Sequence, residues 1–260
     1  MTNTLLVERH DAVTMLTINR PEVRNALDDE VMPALREAIL ACEDDGTRCI
    51  VLTGAGGAFS SGADIKKAVL NGFTPDSTYT MLTEVYAPTL KAIRNASWPV
   101  IAAVDGFAAG IGCDMALACD IRLVSARAKF AELFIRVGLI PDGGGTYLLP
   151  RLIGTGRAME MMFTGRDVEA QEAVQIGLAN HVFPVETFME QVLEFATRIS
   201  RQSPGALKRG KAAMLAALDS SYDESLAREA ANQREILMSQ DGAEGFMAFA
   251  QKRAPVWTGK

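Results

Sequence analysis

The sequence predicts an α/β fold with a helical C-terminal region, and three observations carry that expectation. Over roughly the first 150 residues a short apolar strand, a Gly-rich turn and a helical stretch succeed one another twice. After about Gly154 the apolar spacing is helical almost throughout. The chain has 260 residues, 48% hydrophobic and 22% charged, an ordinary globular composition long enough to enclose a large core.

Leu5 to Glu8 and Val13 to Ile18 are β-branched and apolar runs separated by Arg9-His10-Asp11, which predicts a hairpin. Val31, Leu35, Ile39 and Cys42 then recur at helical spacing after Asp28 or Asp29 as N-cap, so a helix runs to about Asp45. Cys49 to Thr53 is a short buried strand that ends in the Gly-rich loop Gly54 to Asp64, leading into Ile65 to Leu70. A helix from about Ser77 to Arg94 carries Met81, Leu82, Val85, Leu90 and Ile93, with a kink expected at Pro88.

Pro99 to Val104 is the next strand, followed by the turn Asp105 to Gly112, the helical stretch Cys113 to Ala118 and the strand Ile121 to Val124. A third Gly cluster, Pro141 to Thr146, precedes a helix from Tyr147 to Ile153. Further helices are expected near 157–163, 168–176, 185–200, 204–218, 222–237 and 243–252. No linker interrupts the chain, so residues 1–200 form the core and residues 201–260 a helical region of the same folding unit.

Composition excludes several functions. With 26 Lys plus Arg against 32 Asp plus Glu the net charge is −6, which repels polyanions, so no nucleic acid is expected as a partner. Cys42, Cys49, Cys113 and Cys119 form no C-x-x-C pair and His10 and His181 stand apart, so neither a metal site nor a disulfide scaffold is expected. The first residues carry no apolar leader and no run is long enough to span a bilayer, which predicts a soluble, cytoplasmic protein without a membrane partner.

The Gly-rich turns are where chemistry becomes possible. The first turn of a helix has backbone N–H groups without internal acceptors, and two of them aimed at one oxygen form an oxyanion hole. One such donor lies near Ala63 and the other near Ile111. Each cluster on its own is better explained by tight turns that only glycine allows. A dinucleotide-binding reading fails on spacing, because Gly54-Ala55-Gly56-Gly57-Ala58-Phe59 lacks the third glycine of the fingerprint.

Four motifs occur in order: Asn25-Ala26-Leu27, Ala58 to Ile65, Pro99 to Asp114, and Gly138-Leu139-Ile140-Pro141-Asp142-Gly143-Gly144. Together they resemble the enoyl-CoA hydratase/isomerase (crotonase) family over nearly the whole chain. The resemblance implies repeated ββα turns in a superhelical core, with C-terminal helices that build a homotrimer or a dimer of trimers. It implies acyl-CoA substrates whose thioester oxygen, charged as an enolate, is held by the N–H groups of Ala63 and Ile111. Gly62, Gly110 and Gly112 would leave the thioester room to approach.

No cofactor is expected, since coenzyme A enters with the substrate. CoA is polyanionic, so Arg24 and Lys66 are placed to meet it, whereas Lys67 fits a surface charge better. By family position Ala26, Ala63 and Ile65 lie along the nucleotide and pantetheine, and Phe249 and Lys252 reach a neighbouring subunit's CoA. Asp64 would hold the loop that presents Ala63.

The family's hydratases use two glutamates, and this sequence departs at both positions. The first is Asp114 and the second is Phe134, which transfers no proton. Glu132 is two residues away and, on a helix, would point elsewhere. Asp142, after Leu139-Ile140-Pro141, is the better acid/base candidate, because desolvation at an apolar wall raises a carboxyl pKa toward neutrality. An Asp in this setting also serves isomerase members that resemble the 1,2-epoxyphenylacetyl-CoA isomerases. Capping the helix after Gly143 is the other role that fits Asp142, and Asp114 would position or assist.

Tyr86, Phe134 and Tyr147 are candidates for the acyl pocket, or core residues. The reaction expected is an isomerisation by proton removal and return beside a thioester. Hydration of 2-enoyl-CoA and catalytically idle acyl-CoA binding are the alternatives.

Overall fold

The structure, a computed structural model, describes residues 4–260. The expected hairpin is present: β1 (Leu5–His10) pairs antiparallel with β2 (Val13–Ile18), closed by Asp11 at φ 54°. From β2 onward the sheet is parallel, through β3 (Cys49–Gly54), β4 (Val100–Val104), β6 (Ile121–Ser125) and β9 (His181–Phe183). A second sheet holds β5 (Phe107–Ala109), β7 (Lys129–Ala131) and β8 (Val168–Glu169) in the order β5-β7-β8. Strands this short leave too little alternation to be read from sequence, and β5, β7 and β9 have no counterpart in the expected elements.

The helices are α1 (Val31–Ala41), α2 (Ile65–Leu70), α3 (Pro75–Thr80), α4 (Ala87–Asn95), α5 (Ile111–Ala118), α6 (Gly145–Ile153) and α7 (Thr155–Thr164). They continue as α8 (Ala170–Gln175), α9 (Phe188–Ser200), α10 (Pro204–Ala217), α11 (Tyr222–Leu237) and α12 (Gln240–Ala250). The stretch expected as a helix over 168–176 opens instead with β8, whose Val168 is fully buried against Phe130.

The expected helix over 77–94 is present as an unbroken helical run over 75–95, and the irregularity expected at Pro88 takes the form of a wider turn just before it. A π-helical turn at Met81–Tyr86 joins α3 to α4, and the Ala87 N–H reaches the Leu82 carbonyl. Pro88 has no N–H to give and its ring would strike a carbonyl one α-turn back, so the wider turn takes up the misfit.

Alternate residues of the large sheet serve two cores. Leu16, Ile18, Ile50, Leu52, Ala102 and Val124 face α1, α4 and α5, while Val13, Val51, Ile101, Ala103 and Leu123 face α9 through Phe188, Val192 and Ala196. That two-sided burial explains why these strands are largely apolar on both faces. The C-terminal helices attach more by polar contacts: Lys211 Nζ donates to Asp120 Oδ2 at 2.6 Å and to the Trp98 carbonyl at 3.0 Å. Among the described residues no helix is long and apolar enough to cross a membrane.

One residue ties the first loops to the sheet. Asn25, fully buried at φ 57°, accepts from the Arg20 N–H at 2.9 Å and donates through Nδ2 to the carbonyls of Ala55 and Ala58 at 2.8 and 2.6 Å. Ser60 Oγ returns a bond to the Asn25 carbonyl at 2.8 Å. Asn25→Ala removes the side-chain partner of the Arg20 N–H and of the Ala55 and Ala58 carbonyls and is expected to lower stability by about 3 kcal/mol, read as a lower urea midpoint at unchanged m.

Candidate active site

Two segments meet at the N-terminus of α5. Leu27 and Ala63 form an isolated parallel bridge, in which the Leu27 N–H donates to the Gly62 carbonyl at 2.8 Å and the Asp64 N–H to the Leu27 carbonyl at 2.9 Å. With Gly62 and Asp64 facing Leu27, the Ala63 N–H is turned to the other side. Gly62 is packed there so closely that a Cβ on it would lie 2.8 Å from the Ala109 carbonyl oxygen and 3.7 Å from the Ile111 nitrogen. Among the described residues neither the Ala63 nor the Ile111 N–H donates a hydrogen bond. The arrangement is a pair of adjacent free donors, reinforced by the positive end of α5, and suits an oxygen that gains negative charge.

The glycines divide the work differently from the expectation. Gly110 sits at φ 52°, ψ −130°, a conformation that only glycine adopts readily, and this turn sets the Ile111 N–H at the mouth of α5. Gly112 does not make room for substrate. A Cβ there would lie 2.8 Å from Ser60 Oγ, so its bareness lets α5 close on the loop that carries Ala63.

Asp64 holds this loop as expected: its Oδ1 caps α2 through the Lys67 N–H at 3.0 Å, and its Oδ2 pairs with Arg20 at 2.9 Å. Asp28 caps α1 by accepting from Val31 N–H at 3.0 Å. The Lys67 ammonium is taken by Asp28, Asp29 and Glu30, whereas Arg24 and Lys66 are exposed and form no ion pair among the described residues. Ala26 is buried beside them and Ile65 is exposed. Phe249 and Lys252, at the end of α12, are exposed and belong to the C-terminal region.

Asp114 lies on the first turn of α5, fully buried, with Oδ2 accepting from the Gly143 N–H at 2.8 Å. Burial pushes its carboxyl up to about 7, the Asp142 charge adds to the rise, and the N–H groups of Gly143 and Gly145 oppose it. Asp142 does not cap α6, which begins at Gly145 after Gly144 with no side-chain cap. It stands exposed beside Asp114, yet the protein around its carboxyl withdraws enough water to push it up to about 6. Asp142 is thus an exposed carboxyl of raised proton affinity, a group suited to exchanging protons near neutral pH.

Glu132 corrects the sequence reading. The segment after β7 is not helical at this residue; Glu132 precedes a 3₁₀ turn at Leu133–Val137 and points inward, fully buried. Neither of its carboxylate oxygens has a hydrogen-bond partner among the described residues, and Asp114 Oδ1 shares that state. Burial pushes Glu132 up to about 9, with the charges of Asp114 and Asp142 adding to the rise. The signal was its parity with Phe130, which shares a face with it if the stretch is read as a strand.

Phe134 is buried with its ring 3.8 Å from where a Gly110 Cβ would lie, so it walls the space beside the Ile111 donor. Of the other two pocket candidates, Tyr86 adjoins this site, for the Asp142 charge adds to the burial that raises its phenol. Tyr86 packs in the main core and its hydroxyl donates to the Leu27 carbonyl at 2.9 Å. Tyr147 lies between Arg151, 3.6 Å from the ring centroid, and Arg94, with its hydroxyl toward Asp219. Among the described residues no group of His, Cys, Asp or Glu is arranged to hold a metal ion, and the four cysteines are buried and free.

Comparison with known proteins adds an independent line. A family model described as enoyl-CoA hydratase/isomerase matches residues 8–260. A 1,2-epoxyphenylacetyl-CoA isomerase of Escherichia coli is 38% identical over 250 residues, 95% of each chain. A probable enoyl-CoA hydratase of Mycobacterium bovis is 37% identical over 260 residues, 98% of each chain. Among solved structures, an enoyl-CoA hydratase of Bacillus anthracis superposes with a TM-score of 0.95 at 32% identity, over 99% of this chain and 100% of that one.

The burial of Glu132 has a measurable consequence. Its native carboxyl keeps a proton to higher pH than in the unfolded chain. Above the ordinary glutamate range unfolding therefore releases a proton, and stability falls with rising pH until the native value is reached. The slope is at most about 1.4 kcal/mol per pH unit. Glu132→Gln removes this contribution, so its Tm is expected to gain on wild type as pH rises from 5 to 8. An equal Tm difference at both pH values contradicts a protonated Glu132.

Proposed function

The chain belongs to the enoyl-CoA hydratase/isomerase family, and from that premise we propose that it is an isomerase of acyl-CoA thioesters. Asp142 is the base and the N–H groups of Ala63 and Ile111 hold the enolate. The observation that carries this reading is the pairing of an open, proton-avid Asp142 carboxyl with an apolar Phe134 at the position of the second hydratase glutamate. One base next to an oxyanion hole suffices to move a proton, whereas the two-glutamate addition of water lacks its second partner.

For a 3-enoyl-CoA the Asp142 carboxylate removes a proton from C2, and the electrons of that C–H bond pass into a dienolate whose charge rests on the thioester oxygen. The Ala63 and Ile111 donors stabilise that charge with the help of the α5 dipole. Asp142 then returns the same proton to C4, leaving a double bond between C2 and C3. Nothing is oxidised or reduced, and coenzyme A enters only as part of the substrate. Asp114, whose own carboxyl is raised further by the Asp142 charge, accepts from the Gly143 N–H and so holds the turn next to Asp142. Opening of a strained ring epoxide adjacent to the thioester is the related isomerisation open to the same groups.

Arg24 and Lys66 offer unpaired positive charge to the CoA phosphates, and Ala26, Ala63 and Ile65 supply the surface along the nucleotide. The working assembly in this proposal is a cytoplasmic homotrimer or dimer of trimers. Phe249 at 87% exposure and Met238 at 76% on the C-terminal helices support burial against other subunits.

Two measurements test the reading. With 3-enoyl-CoA, wild type is expected to form the conjugated thioester, and Asp142→Asn to lower the rate by about 10²–10⁴-fold. Rapid hydration of 2-enoyl-CoA that survives Asp142→Asn would instead make Asp114 the centre of a hydratase. Only the carboxylate form of Asp142 is a base, so kcat/KM for isomerisation is expected to rise with pH through about 6 and to lose that limb in Asp142→Asn.

A further inference from the structure

Arg20 is a half-buried cation that the proposed reaction does not use, and its guanidinium is bound on several sides at once. Nη1 donates to the Ala26 carbonyl at 2.5 Å. Nη2 lies 2.9 Å from Asp64 Oδ2 and 3.2 Å from Asp28 Oδ2. The side chains of Arg20, Asp28 and Asp64 are only 13%, 5% and 11% exposed, so these bonds are poorly screened. Its backbone N–H is fixed by Asn25.

The three acceptors flank one feature. Ala26 and Asp28 are the neighbours of Leu27, and Asp64 is the neighbour of Ala63, so Arg20 fastens both sides of the Leu27–Ala63 bridge. That bridge sets the direction of the Ala63 N–H. Ion pairs that served stability alone would have no reason to converge on residues adjoining the two bridge members. The Lys67 ammonium, nearby, joins Asp28, Asp29 and Glu30, and Lys67 meets the Asp64 carboxylate only through its backbone N–H. The planar fork of arginine is what permits simultaneous bonds to a carbonyl and two carboxylates; lysine offers one point of charge.

We propose that Arg20 is a positioning residue for the oxyanion hole, holding the Ala63 N–H in line with the Ile111 N–H so that both donors meet the thioester oxygen. The proposal rests on the assignment of Ala63 as a donor. An error of order 1 Å in such a group costs up to about 10²-fold in rate. Binding of the CoA portion, which does not depend on that alignment, is left nearly unchanged.

The test is the carbonyl stretch of a bound, non-reacting saturated acyl-CoA, together with kcat and KM, in wild type, Arg20→Lys and Asp64→Asn. Asp64→Asn approaches the same clamp from its other end and keeps side-chain shape, so the question stands even if Arg20→Lys folds poorly. In wild type the stretch is expected to shift to lower frequency than in free thioester, as polarisation by two donors requires. A wild-type stretch equal to the free value overturns the oxyanion assignment itself. With the wild-type shift present, both variants are expected to lose about half of it or more and to fall about 10-fold or more in kcat, with KM changed less than about threefold. Variants that lose thermal stability but keep the full shift and kcat would show that Arg20 only stabilises, and would overturn the proposal.

Discussion

Two peptide N–H groups without acceptors among the described residues, those of Ala63 and of Ile111 at the start of α5, are the constraint around which this molecule is arranged. Left open, such donors are costly, and the surrounding structure has to hold them there. The Leu27–Ala63 bridge turns one of them outward, Gly110 turns the other, and the absence of a side chain at Gly112 lets the two segments approach. Asn25, Asp64 and Arg20 are then understandable as ties on loops that would otherwise move independently. The parallel sheet contributes by fixing the ends of β3 and β4, from which both loops depart.

Behind the donors lies an unusual concentration of acid. The Asp142 charge raises Asp114, the charges of Asp114 and Asp142 raise Glu132, and of the three only Asp142 is open to water. Burial raises all three, but to different extents, so near neutrality Asp142 carries charge while Glu132 does not. The difference follows from position: one carboxyl lies at the surface and the other behind the strand that precedes Phe134. Such a gradient keeps negative charge at the front of the proposed site, where a base is needed, and out of the interior, where it has no counterion.

Much of this was legible in the sequence, and unevenly so. The helix α1 and the apolar strands β3 and β4 announce themselves, because each buries one or two whole faces, while α10 and α11 are legible from helical spacing alone and bury almost nothing in this chain. The Gly-rich motifs, through the resemblance they carry, pointed to Ala63, Ile111, Asp114 and Asp142 as candidates. Short strands such as β5 and β7 carry too few residues for a period to register, and the inward turn of Glu132 was lost with them. Tyr86 and Tyr147 show the other limit: an aromatic side chain fits a core, a surface stack or a pocket equally well until neighbours are known. The role of Arg20 depends on three partners far apart in sequence, which no local spacing records.

The fit of Asp114 against its neighbours also bears on how such a site can drift over time. A Cβ at Gly145 would stand 2.3 Å from Asp114 Oδ1, and one at Gly143 would stand 2.6 Å from the Asp114 Cβ. The turn into α6 and the length of this acid are therefore a matched set. Lengthening the acid by one methylene pushes a carboxyl into backbone that has already given up its side chains, while enlarging either glycine evicts the acid. Conversion to a two-glutamate site is thus an epistatic problem: position 114, position 134 and the glycine turn must change in a compatible order, and single steps toward it meet a barrier of packing before any new chemistry is gained.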